Sequence, residues 1–176
     1  MKRISVLVPL LLSGCVRVPQ GVTAIQGFEP ERYLGTWYEI ARFDHSFERG
    51  LTHVSAEYSA RPDGGIDVVN RGYDPVRGQW KQARAKAYFV EGRSVGRLRV
   101  TFFWPFYGAY NIIALDQDNY SYAVVCGPNR SYLWILARQT ALDAAVLDRL
   151  IAVAKDAGFD TRKLLRVDHT NRPPSS

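Results

Sequence analysis

A chain of 176 residues, 47% hydrophobic and 23% charged, holds one domain with a sizeable core and leaves little room for two. Its net charge of +6 becomes +4, 21 basic against 17 acidic residues, once Lys2 and Arg3 are set aside with the leader described below; no Lys/Arg run is interleaved with aromatics, so no nucleic-acid partner is expected. The two cysteines, Cys15 and Cys126, exclude a disulfide framework if Cys15 carries lipid, and the 12% of aromatic residues favour pleated, half-buried surfaces and hence β structure.

Residues 1–14 read as a signal peptide: Lys2 and Arg3, an apolar stretch from Ile4 to Leu12 too short to span a bilayer, then Ser13 and Gly14. Leu12-Ser13-Gly14-Cys15 resembles the lipobox of bacterial lipoproteins. That resemblance implies that Cys15 becomes the first residue of the mature chain and is lipidated there. Several acyl chains at ~0.8 kcal/mol per buried CH₂ hold a protein firmly to a membrane. Val16 follows the cysteine, whereas Asp at this place marks retention in the inner membrane. The sorting pattern of such lipoproteins therefore implies the outer membrane, with the periplasmic face expected. Residues 15–27, with Pro19 and Gly21 and no sustained period, read as a short tether.

From Trp37 onward, short alternating or apolar runs predict strands at Trp37 to Phe43, His53 to Ala60, Ile66 to Gly72, Trp80 to Val90, Arg97 to Phe103, Tyr110 to Leu115, Ser121 to Cys126 and Tyr132 to Gln139. Turn residues such as Pro62-Asp63-Gly64-Gly65 and Asp74-Pro75-Val76-Arg77-Gly78 join them as successive hairpins, which implies an antiparallel up-and-down sheet. Val54, Ala56 and Tyr58 alternate with polar residues, as do Leu98, Val100 and Phe102, and as do Ala83, Ala85 and Ala87. Three alanines in a row on one face leave volume unfilled. In a packed sandwich each methyl-sized void costs about 1 kcal/mol, whereas a closed barrel of about eight strands can use the space for a ligand. The predicted fold is therefore all-β: an eight-stranded antiparallel up-and-down β-barrel.

Thr140 is expected to open a helix in which Leu142, Val146, Leu150, Val153 and Ala157 form the apolar face, Asp143 lies in the first turn and Gly158 is the stop. This is one C-terminal α-helix packed outside the barrel. Leu164 to Val167 reads as an edge strand. Residues 28–168 thus form the domain, and 169–176 are expected to be a disordered tail.

Gly35-Thr36-Trp37-Tyr38-Glu39, preceded by Phe28-Glu29-Pro30-Glu31-Arg32-Tyr33-Leu34, resembles the first signature of the lipocalin family. That signature is a short 3₁₀ helix at the barrel floor followed by Gly-x-Trp on the first strand. Asp116 to Tyr122 is similar to the second signature, although Asp118-Asn119-Tyr120 departs from the usual Thr-Asp-Tyr order. Arg138, closing the strand from Tyr132, matches the third. The three fall in the family's order between about Phe28 and Val167, and Asn70 to Tyr73, Lys86 to Phe89 and Phe106 to Asn111 look most like bacterial lipoprotein lipocalins and apolipoprotein D. The resemblance implies that Gly35, Trp37 and Arg138 are structural, with Arg138 lying across the Trp37 indole at the closed end.

If Arg138 faces inward, alternation places Leu136, Trp134 and Tyr132 on the same face, rising toward the mouth. Trp134 is then the foremost pocket residue. The same logic nominates Val54, Ala56, Tyr58, Ala83, Ala85, Ala87, Val100 and Phe102 as ligand-binding residues. Burying about sixteen carbons contributes on the order of 12 kcal/mol against a binding cost of about 4–15 kcal/mol, which leaves micromolar affinity. The resemblance implies a fatty acid or lysophospholipid ligand and a role in lipid scavenging, storage or transport.

No catalytic residue, metal site or cofactor is expected. His45, His53 and His169 are scattered in sequence without the spacing of metal ligands, His45 is expected to be a solvated loop residue, and Cys126 ends an apolar run with no basic neighbour. The dense aromatic segment Phe102-Phe103-Trp104-Pro105-Phe106-Tyr107 reads either as a surface that docks a protein partner or a second copy to give a homodimer, or as a loop folded over the cavity mouth.

Overall fold

The alternating segments form eight antiparallel strands in sequence order, β1 Gly35–Phe43, β2 Thr52–Ala60, β3 Ile66–Asp74, β4 Gln79–Phe89, β5 Arg97–Phe103, β6 Phe106–Leu115, β7 Tyr122–Cys126 and β8 Leu133–Ala137, in a computed structural model that describes residues 16–170 and residue 173. Each pairs with the next, and β1 pairs with both β8 and β2, so the sheet closes into a barrel. The expected signal peptide, the lipidated Cys15 and most of the tail lie outside the described residues.

Closure is uneven, for a reason that positions the site. β1 pairs with β2 only from Gly35 to Tyr38, then leaves it, and the freed edge of Ala41 to Phe43 is taken by β9, Leu164–Arg166. The predicted edge strand thus covers an edge that would otherwise present unpaired backbone groups. The chain after β9 stays against the barrel, with Val167 N–H donating to Ile40 O and His53 N–H to Asp168 O. His169, placed in the expected disordered tail, donates from Nε2 to Glu39 O over 2.7 Å and packs edge-on against Tyr38.

Two apolar clusters share the sheet. Inside lie Phe28, Tyr33, Trp37, Tyr58, Val68, Ala85, Ala87, Leu98, Ile112, Val125 and Leu136. Outside, Ile40, Phe43, Val124, Cys126, Leu133 and Ile135 meet the helix α2, Ala144–Asp156. β7 and β8 are therefore covered on both faces, which is why Tyr122 to Cys126 reads as a continuous apolar run with little alternation. Cys126 sits fully buried, and burial pushes its thiol up to about 12, so it behaves as a small apolar side chain.

α2 begins four residues later than Thr140, where Asp143 accepts from the Ala145 and Val146 amides as N-cap. Gly158, at φ +83, ends it as expected. Its buried face is Leu147, Leu150 and Ala154, while Val153 is exposed. Two helical stripes pass through Leu150, and contact with β7 and β8 selects the one that excludes Val153. The floor helix, α1 Pro30–Tyr33, is a single α turn where a 3₁₀ helix was expected. Residues 16–27, expected to be a tether, lie along the barrel. Ile25 exchanges backbone bonds with Gly96 and Ile112, Gln26 bridges to Val95, and Ala24 is buried.

Candidate ligand cavity

The floor is closed by an arrangement centred on Arg138. Its guanidinium lies 4.1 Å from the Trp37 ring centroid and donates to three backbone carbonyls, Nη1 to Thr36 O, Nη2 to Arg32 O and Nε to Tyr120 O. The Trp37 indole donates to Tyr33 O and stacks on the Tyr33 ring. Gly35 takes φ +92, and the Arg138 guanidinium passes 3.4 Å from where a β-carbon would stand, so both backbone conformation and space call for glycine. One cation thereby ties α1, β1, β8 and the loop before β7 into a plug.

Above the plug the interior is hollow. The cavity has a volume of about 330 Å³ and opens between the loops 44–51 and 127–132, with Phe47, Glu48, Gly127, Pro128 and Tyr132 at the mouth. Of the residues nominated from sequence, Ala56, Tyr58, Ala87, Val100, Phe102, Tyr132, Trp134 and Leu136 line it. Three do not. Val54 is buried with Leu51 over Gly72, at the stretch between Thr52 and Ser55 where the register with β3 shifts. Ala85 lies between Ala83 and the lining Ala87 on the same strand face and is packed into the interior cluster. Ala83 is exposed, lying nearer the rim than the cavity on the same strand face.

Of the polar groups of the cavity, strand logic nominated Tyr58, Tyr132 and Trp134 but not their partners. The hydroxyl of Tyr110 bridges those of Tyr33 and Tyr58 at 2.7 and 2.9 Å. Burial, the largest cause, holds all three phenols above the ordinary tyrosine value, so they act as neutral donors and acceptors. Tyr110 was legible from alternation in β6; Tyr33 sits on the one-turn helix, where period-2 reasoning has no purchase.

A second group occupies the wall beneath the mouth. Arg42 Nη1 donates to Glu39 Oε2 over 3.2 Å and its Nη2 to Glu48 O over 2.8 Å, while the Trp134 indole donates to Glu48 Oε2 over 3.2 Å. His45 Nε2 stands 3.0 Å from Glu48 Oε2, off the line of a good hydrogen bond, and its ring stacks on Phe47. His45 is thus buried among aromatics and not solvated. Burial, with the negative Glu48 beside it, pushes the Glu39 carboxyl well above the ordinary range, against the pull of Arg42. Burial works the same way on Glu48, but the His45 ring and the bonds from Trp134 and Glu39 outweigh it and hold this carboxyl low. The two carboxyls are therefore driven apart, Glu39 toward its neutral form and Glu48 toward its charged one.

Arg42 joins this group through a β-bulge. The β1–β8 register slips between Glu39 and Ala41, so Glu39 pairs with Leu136 and Arg42 with Trp134, and side chains of opposite parity face the same interior. Glu39 itself was legible, two residues after Trp37. Among the described residues no three His, Cys, Asp or Glu side chains gather as metal ligands. What the arrangement offers is an apolar cup with a small polar wall, suited to enclosing a hydrocarbon chain and holding its polar end near the mouth.

The profile of the lipocalin-like domain matches residues 28–169. Outer membrane lipoprotein Blc of Vibrio cholerae is 52% identical over 162 residues, covering 92% of this chain and 95% of that protein. Outer membrane lipoprotein Blc of Escherichia coli K12 is 54% identical over 149 residues, 85% and 84% of the two chains. Insecticyanin of the tobacco hornworm Manduca sexta superposes with a TM-score of 0.71 at 18% identity, covering 88% of this chain and 87% of that one, a likeness of fold.

Proposed function

This chain belongs to the lipocalin family, and from that premise we propose that it is a membrane-anchored binder of a fatty acid or lysophospholipid, held in the barrel cavity for scavenging, storage or transport in the cell envelope. Its location is the outer membrane, as the names of its Blc relatives state. The anchor is the lipidated Cys15, with the barrel on the periplasmic face.

The observation that carries the reading is the hollow apolar interior, open at one end and closed at the other by Arg138 and Trp37. A cavity of about 330 Å³ left empty would forfeit dispersion contacts along its whole lining, and a hydrocarbon restores them. Its size lies within the range of roughly 300–1,000 Å³ typical of small-molecule pockets. Binding, with no group arranged as a nucleophile beside a base, is the chemistry this lining supports.

The test is lipid analysis of protein extracted from its own membrane, washed free of detergent and examined intact by native mass spectrometry. Mass corresponding to one bound acyl lipid per barrel supports the reading, and an empty barrel that also refuses added fatty acid ends it. Trp134→Ala, which removes the largest wall residue, is expected to raise the dissociation constant for a fatty acid about tenfold, near 1.4 kcal/mol. It should do so with a smaller loss of folding stability, measured by thermal melting without ligand. Unchanged affinity would remove Trp134 from the site.

A further inference from the structure

The turn between β5 and β6 carries large apolar side chains that nothing in the barrel covers. Phe103, Trp104 and Phe106 are 76%, 75% and 72% exposed, so the hairpin stands off the rim and does not fold over the mouth. Phe102 at its base and Phe47 on the neighbouring loop are both about half exposed and both line the cavity. The apolar surface of the hairpin therefore runs without interruption into the cavity entrance.

The strands beneath this tip are basic. β4, β5 and β6 contain Lys81, Arg84, Lys86, Arg97 and Arg99 and no Asp or Glu. Lys81 and Arg97 are paired with Asp74 and Glu91, but among the described residues Arg84, Lys86 and Arg99 form no ion pair. Arg99 lies 4.8 Å from the Tyr107 ring, beside the base of the hairpin. The chain also enters along this flank, where Arg97 donates to Val16 O and Asn111 to Arg17 O.

We propose that the Phe103-Trp104-Phe106 tip is a membrane-docking wedge that seats in the headgroup layer of a phospholipid bilayer and turns the cavity mouth toward it. Trp and Phe are the side chains that settle at a membrane–water interface, and unpaired Arg and Lys just behind them meet lipid phosphates. A two-fold contact between copies through this patch would bring like charges together, since each copy presents the same surface. Phosphate groups neutralise that strip instead. Val16 and Arg17 lie on the same β5–β6 flank, so a lipid on Cys15, taken from the proposed function, and the tip would address one bilayer; the tip's chemistry does not depend on that anchor.

The experiment reconstitutes the full lipidated protein into phosphatidylethanolamine–phosphatidylglycerol vesicles with acyl chains brominated near the headgroup, and compares tryptophan emission of the wild type with Trp104→Ala. The difference isolates Trp104, and it is expected to be quenched about twofold or more relative to unbrominated vesicles, as for a ring at interfacial depth. Phe103→Ser/Phe106→Ser, with Trp104 kept and folding checked by circular dichroism, should lose most of that quenching. Trp104 emission indifferent to brominated lipid overturns the proposal. So does chemical cross-linking of copies that requires Trp104 while its emission stays unquenched, which assigns the tip to a second copy. Quenching of Trp104 in a barrel that carries no lipid ligand supports the wedge while defeating the ligand reading, so the two fail separately.

Discussion

Glu39 and Glu48 show how one residue's surroundings reverse another's chemistry. Glu39 is raised by burial and by Glu48, so folding favours its protonated form over its ionised one. Its contribution to stability is full below the unfolded value, about 4.3, and is lost as pH rises through the folded value. Glu39→Gln keeps a donor toward Glu48 and removes this loss. The variant's melting temperature is expected to gain on the wild type progressively above about pH 4.3; parallel curves from pH 4 to 9 would show that Glu39 does not titrate as described. Glu48, held low, acts in the opposite sense and only as pH falls below its unfolded value. Glu39 was not nominated although alternation from Trp37 carries the signal, whereas Arg42 reached the interior only through a bulge, and Glu48 and His45 came from a loop that has no period to read.

At the scale of elements, strand positions were legible because each strand has one face toward the hollow interior and one toward water or α2. The helix phase was not, since stripes through Val146 and Leu147 are equally helical and differ only in what the sheet presents. Asp143 supplies the N-cap, whereas the sequence reading set it inside the first turn of a helix opened by Thr140. Asp143→Ala is expected to cost about 1 kcal/mol, a fall of roughly 2–4 °C in melting temperature for a domain of this size. An unchanged melt would mean that packing of Leu147 and Leu150, rather than the cap, holds the first turn. The segment 16–27 was misread as a tether because backbone bonds to distant strands and a few scattered apolar contacts hold it, and these leave no periodic pattern in side-chain type.

For the whole molecule, the decisive contact is the plug. Arg138→Ala removes three carbonyl partners and the contact with Trp37, and is expected to destabilise the fold by about 3 kcal/mol, a drop of roughly 6–12 °C. Arg138→Lys should recover little, because a single ammonium cannot fork to Thr36, Arg32 and Tyr120 at once. A melt within 2 °C of wild type for either variant would place closure elsewhere. Composition, period-2 alternation and the Gly35, Trp37 and Arg138 signatures determined by themselves the strand order, the closed barrel and eight of the side chains that line the cavity, because these depend on which side chains prefer a buried pleated face. Only the tertiary structure decided the register slip that turns Arg42 inward, the docking of residues 16–27 along the barrel, and the aromatic tip standing clear of the mouth. Those depend on how distant backbones meet, and hydrogen bonds between backbones are blind to the side chains that a sequence records.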